Sequence, residues 1–194
     1  MEYASVAPIR LTKIEAAERQ LNAAIDIFFS DGDLVPAWTL AAAAYNVIKN
    51  LKEHQGSRDM MLKHQMAAAL DANLNRYENF LKHADRDPNE VLEFNPRGQI
   101  ELLLLDASLG FHSLTERMSP QMLLAQMWFF GTTFISHNGG AEFQKWADFV
   151  RRRPDEPPSS YRGRFREYVK EGLVVDRKSP WFNLSLAVYE MQKK

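Results

Sequence analysis

Apolar residues recur along nearly all of this chain every three or four positions, and no segment shows the sustained alternation of a half-buried strand. The clearest run is LTKIEAAERQLNAAIDIFF, residues 11–29, where Leu11, Ile14, Leu21, Ile25 and Phe28 form one helical stripe. Thr12, with Glu15 three residues later, predicts a capping box at its start. SDGD, 30–33, ends the run. There Gly32 suits the left-handed conformation, and Asp33 suits the cap of a second helix that tolerates Pro36 in its first turn. This second helix, over about 34–53, lines up Ala37, Ala41 and Ala44 with Ile48. Small side chains there, with Ala16, Ala17, Ala23 and Ala24 on the first helix, predict a closely packed antiparallel hairpin.

HQGS, 54–57, closes the second helix, with Ser57 as the next cap. A third helical region, bent near its middle, is expected over 58–84. DRDPNEVLEFNPRG, 85–98, fits no period and carries two prolines, which predicts a loop. QIELLLLDASLGFHSLTERM, 99–118, is a fourth helix, and SPQMLL opens a fifth with a serine cap and a first-turn proline, running to Ile135. HNGG stops it at 137–140. Shorter helices are expected at 140–151, 160–171 and 180–192, the second and third lying beyond a proline-rich joint, RRRPDEPPSS. The expected fold is therefore all-α: an antiparallel helical bundle with a short C-terminal helical appendage.

Composition narrows this little. With 194 residues, 45% apolar and 25% charged, the chain can build one substantial core. A net charge of −1 means that any contact with nucleic acid must rest on a local basic patch. With no cysteine there is neither disulfide nor thiolate chemistry, which fits a reducing compartment and a cytoplasmic location. MEYASVAPIR has no basic start followed by an apolar run, so no signal peptide is expected. MLLAQMWFFGTTFI, 122–135, is too short to cross a bilayer and is interrupted by Gln126, Thr132 and Thr133, so no membrane role is expected.

Most chemical signatures are missing. There is no glycine-rich phosphate loop and no nucleophile elbow. A helical di-metal site needs a carboxylate three residues before a histidine, but Leu51, Met61, Phe80, Leu109 and Phe134 hold those positions. DRDPNE resembles a calcium loop only through Asp85, Asp87 and Asn89; Glu90 stands where glycine is needed and Pro96 where a glutamate is needed. No metal and no cofactor is expected. His54, His64, His112 and His137 share no ligand spacing, and Trp38, Trp128, Trp146 and Trp181 read as core anchors.

One constellation remains, in RYENFLKHADRDP, 76–88. On a helix, Arg76, Asn79 and His83 fall at i, i+3 and i+7 and share a face, with Phe80 beside them to enter the core. Glu78 and Lys82 make an i, i+4 pair on another side. His83 falls near the helix end, where the dipole favours positive charge, with Asp85 and Asp87 following. An imidazole for proton transfer, an amide to orient and a guanidinium for phosphate charge suit phosphoryl transfer. The competing interpretation is a solvated helix end whose histidine caps carbonyls.

The polar turn DGD, the alanine-rich second helix ending in NLK, and a later helix bearing arginine and histidine six residues apart resemble HEPN domains over residues 11–116. These are the all-α domains of the higher-eukaryote and prokaryote nucleotide-binding family, marked by R-x(4–6)-H. The resemblance implies a homodimeric, metal-independent endoribonuclease whose two motifs meet at the dimer cleft. Many members are toxins or parts of defence systems. Carried onto this chain, Arg76 meets the scissile phosphate, His83 moves the proton of the 2′-hydroxyl or leaving oxygen, and Asn79 orients either one. Lys82 and Arg86 are candidate substrate-binding cations. This chain departs from the commonest spelling at Glu78, where arginine precedes the asparagine and where a carboxylate would repel phosphate. The resemblance also implies the alternative, a non-catalytic interaction or scaffold protein in which the same face binds a protein partner or closes a dimer. The division expected is a tail over 1–10, a bundle over 11–151 and an appendage over 152–194.

The last third is locally basic, through Arg151–Arg153, Arg162, Arg164, Arg166, Arg177 and Lys178. Interleaved aromatics in YRGRFREY are what a single-strand RNA binder would use, yet Tyr161, Phe165 and Tyr168 also have the spacing that docks a helix.

Overall fold

The computed structural model describes residues 8–57, 60, 65–83, 85, 88–133 and 163. Within these the chain is all-α: α1 (Lys13–Phe29), α2 (Leu34–His54), α3 (Gln65–Lys82), α4 (Arg97–Thr115) and α5 (Pro120–Thr133), with no strand among the described residues. Apart from Gly163, which is helical, the helices expected beyond residue 137 lie outside the described residues, as do Trp146, Trp181 and the cations of the basic tail.

α1 begins in the expected capping box. Thr12 Oγ1 accepts from the Glu15 N–H at 3.3 Å, and Glu15 Oε2 accepts from the Thr12 N–H at 2.8 Å. Leu21, Ile25 and Phe28 are buried and Ile14 packs against them. Leu11 does not join the stripe; it precedes the cap, where helical periodicity does not yet apply, and is 46% exposed. The exit differs from expectation in one residue. Asp31, not Gly32, takes the left-handed conformation, at φ 57°. The Ser30 N–H donates to Asp26 O and the Gly32 N–H donates to Ile27 O at 2.9 Å, a Schellman-type closure with aspartate at the turning position. Gly32 is needed for space instead: a Cβ there would lie 2.7 Å from Ile27 Cγ2.

Asp33 then caps α2, its Oδ1 accepting from the Val35 N–H at 2.9 Å. Ala37, Ala41, Ala44 and Ile48 are all fully buried, with Ala17 and Ala24 of α1 buried in the same core. α1 lies along α2, and α2 also packs on α4 and α3. The α2–α4 contact is close at Gly110, where a Cβ would meet Ile48 Cγ2 at 2.8 Å and Met60 Sδ at 2.9 Å. Met60 is buried and non-helical, so the helix expected from 58 is not yet formed at 60. Its side chain is drawn down against α4 at Gly110 instead.

α4 is buried continuously from Leu103 to Phe111, which is why its sequence shows no polar stripe. Ser108 is satisfied inside the helix, its hydroxyl donating to Leu104 O at 2.6 Å. α4 ends at a left-handed Glu116, φ 56°, whose N–H donates to His112 O. Ser119 opens α5 as expected, accepting from the Met122 N–H at 3.2 Å while its hydroxyl donates to Asn22 Oδ1 of α1 at 2.6 Å. Trp128 of α5 meets Phe28 and Phe29 edge-on, at 6.4 and 5.5 Å between centroids. Described α5 stops at Thr133, short of the expected Ile135, which lies outside the described residues.

Two outcomes follow for stability. Gly110→Ala is expected to destabilise by about 1–3 kcal/mol in denaturant titration. It does so although alanine is the better helix former by about 1 kcal/mol, because the new Cβ would lie 2.8 Å from Cγ2 of Ile48, a fully buried β-branched side chain stiff at χ1. The second concerns acid. The Thr12 backbone N–H, and then its hydroxyl, hold the Glu15 carboxyl below its ordinary pKa. The ionised cap therefore stabilises fully above about pH 4.3 and is lost as pH falls through the lowered folded value. The melting-temperature advantage of wild type over Glu15→Gln should be constant at neutral pH and vanish in strong acid.

Candidate functional site

The rotation of α3 is set by what it buries. Leu74 and Tyr77 are in the core and Leu81 packs against it, at i, i+3 and i+7. Tyr77 meets Trp38 of α2 edge-on at 5.2 Å and Phe94, in the loop before α4, at 5.0 Å; Trp38 and Phe94 are 6.1 Å apart. This aromatic triad clamps α3 and the loop against α2. It was not legible in advance, because its members lie far apart in sequence and follow no motif.

With that face turned inward, the opposite side of α3 meets solvent. Asn75, Arg76, Asn79 and His83 are exposed. The arginine, asparagine and histidine therefore share one wet face, as their spacing requires. Arg76 and Asn79 make no side-chain hydrogen bond or ion pair among the described residues. His83 follows the last helical residue, and its N–H donates to Asn79 O at 2.9 Å. Its ring is 43% exposed, and Nδ1 lies 3.9 Å from Asp85 Oδ1, beyond hydrogen-bonding distance. Along the axis the Arg76 and His83 Cα atoms are separated by about 10 Å, from the helical rise. Phe80 is half-buried; the inward anchors of this stretch are Tyr77 and Leu81.

Glu78, the departure noted above, belongs to neither face. Its Oε1 accepts from Asn46 Nδ2 of α2 at 2.9 Å and from Lys82 Nζ at 3.0 Å. The expected i, i+4 pair is thus present, and a side chain 32 residues away anchors it. Sequence spacing reveals the Glu78–Lys82 half of this arrangement but not Asn46. Lys82 is committed to the carboxylate; Arg86 lies outside the described residues, as do Asp87, His64 and His137. Of the other histidines, His54 is exposed at the end of α2 and His112 is half-buried near the end of α4.

Among the described residues there is no group of three histidine or carboxylate side chains able to hold a metal ion. No helix among them is long and apolar enough to cross a membrane. Chemically, among the described residues the exposed side of α3 offers the Arg76 guanidinium, the amides of Asn75 and Asn79 and the solvent-accessible His83 imidazole. Comparisons with protein-family models, curated proteins and solved structures return no match.

The two faces of α3 should separate cleanly by mutation. Tyr77→Ala is expected to lose about 3–5 kcal/mol, as large aromatic truncations in a core do. Arg76→Ala, Asn79→Ala and His83→Ala should each stay within about 0.5 kcal/mol of wild type. Chemical denaturation of the four variants checks this.

Proposed function

We propose that the exposed face of α3 contacts RNA and that the chain is a metal-independent endoribonuclease of HEPN type, acting as a homodimer. The observation that carries this reading is that Arg76, Asn79 and His83 occupy one solvent-facing stripe and perform no structural task among the described residues. The stripe is wholly polar at its exposed positions, which favours a charged ligand over an apolar protein surface. Glu78 is turned toward α2 and neutralised, so the carboxylate that departs from the family's common spelling does not confront the phosphate as a bare charge.

In this mechanism the ribose 2′-oxygen attacks the adjacent phosphorus and the bond to the 5′-oxygen breaks. His83 removes the proton from the 2′-hydroxyl or supplies one to the departing oxygen, and a second copy of the motif takes the complementary role. Arg76 stabilises charge developing on the non-bridging oxygens, and Asn79 orients the imidazole or the phosphate.

Purified protein is expected to cleave single-stranded RNA in the presence of a chelator. His83→Ala should reduce the rate by at least about a hundredfold, the usual contribution of a general acid or base, with stability preserved. Cleavage that survives this substitution, or that requires added metal, rejects the mechanism. If RNA is not cut and substitutions on the stripe change only self-association or capture of a protein, the non-catalytic alternative is correct.

A further inference from the structure

We infer that Glu78 limits the phosphate affinity of the α3 face by neutralising Lys82, an inference that rests on the RNA-contact reading above. Lys82 adjoins His83 and lies three residues from Asn79, so it borders the proposed contact stripe. Its ammonium donates to Glu78 Oε1 at 3.0 Å. An i, i+4 ion pair between two free surface side chains opens readily and contributes little. This pair differs because one partner is pinned. Asn46 of α2 donates to the same carboxylate oxygen at 2.9 Å, and the Glu78 side chain is only 17% exposed against 46% for Lys82. The carboxylate is therefore a fixed acceptor to which the mobile ammonium returns. A phosphate reaching the stripe meets Arg76 as an available cation and Lys82 as one already matched.

Glutamine is the informative replacement. Glu78→Gln retains a carbonyl oxygen that can accept from Asn46, so the α2–α3 contact survives, while the negative charge disappears. Lys82 is then free to neutralise a second phosphate. Each phosphate contact on a single strand steepens the dependence of log affinity on log salt by about 0.7. One extra contact thus adds about a 2.6-fold further loss of affinity between 50 and 200 mM salt.

The experiment measures salt-dependent binding of a short 2′-O-methyl RNA, which cannot react through its 2′-oxygen. The proteins are full-length wild type, Glu78→Gln, Lys82→Ala and the double variant, all with chelator present. The expected result is tighter binding at low salt and a slope steeper by about 0.7 in Glu78→Gln, with no steepening when the same change is made in the Lys82→Ala background. An unchanged slope in Glu78→Gln overturns the inference while leaving RNA contact intact. Equal steepening with and without Lys82 also overturns it, because Glu78 then acts only as a repelling charge. If none of the four proteins binds RNA, the contact reading fails and this inference fails with it.

Discussion

The small-residue face of α2 is the constraint from which the rest of the structure hangs. Ala37, Ala41 and Ala44 hold no bulk between this helix and its neighbours, and Ile48 extends the same fully buried line. Where α4 crosses, the small residue is on the other side: Gly110 leaves room for Ile48 and Met60 at a distance no Cβ would tolerate. Packed interiors respond to a single methyl group because nearby atoms already touch. Helix α2 can therefore engage α1, α4 and α3 together only while both sides keep their small residues.

That arrangement decides what α3 presents. Trp38 projects from α2 into the core and receives Tyr77 edge-on, with Phe94 closing the cluster from the following loop. Once Tyr77, Leu74 and Leu81 face inward, helical geometry places Arg76, Asn79 and His83 in water. The Asn46–Glu78 hydrogen bond adds a polar tie between the same two helices. A face held from behind by aromatics and from one side by a hydrogen bond is presented on a rigid element rather than a loop, which suits a site needing fixed geometry.

Local signals were the most readable. The capping box at Thr12, the aspartate cap at Asp33, the serine–proline start of α5 and the alanine face of α2 all depend on neighbours within one or two turns, and all are present. Even there, local preference misassigned one detail. Glycine is the residue best suited to positive φ, yet Asp31 occupies that conformation and Gly32 answers a steric demand from Ile27. The start of α3 was also misread, because Met60 serves the α2–α4 crossing rather than the helical period. The common stripe of Arg76, Asn79 and His83 was legible from spacing, whereas the surroundings of Glu78 were only half so.

The order of apolar and polar residues was enough to establish the all-α character of the described residues, most of their helix boundaries and the shared face of three polar groups on α3, since each follows from backbone periodicity and near-neighbour hydrogen bonding. Which side of α3 meets solvent, which residue turns the α1–α2 corner, and what restrains the Glu78 carboxylate emerged only in the folded molecule. Those outcomes depend on residues such as Trp38, Phe94 and Asn46, far from α3 in sequence, and no local rule reports which distant side chain will fill a given space.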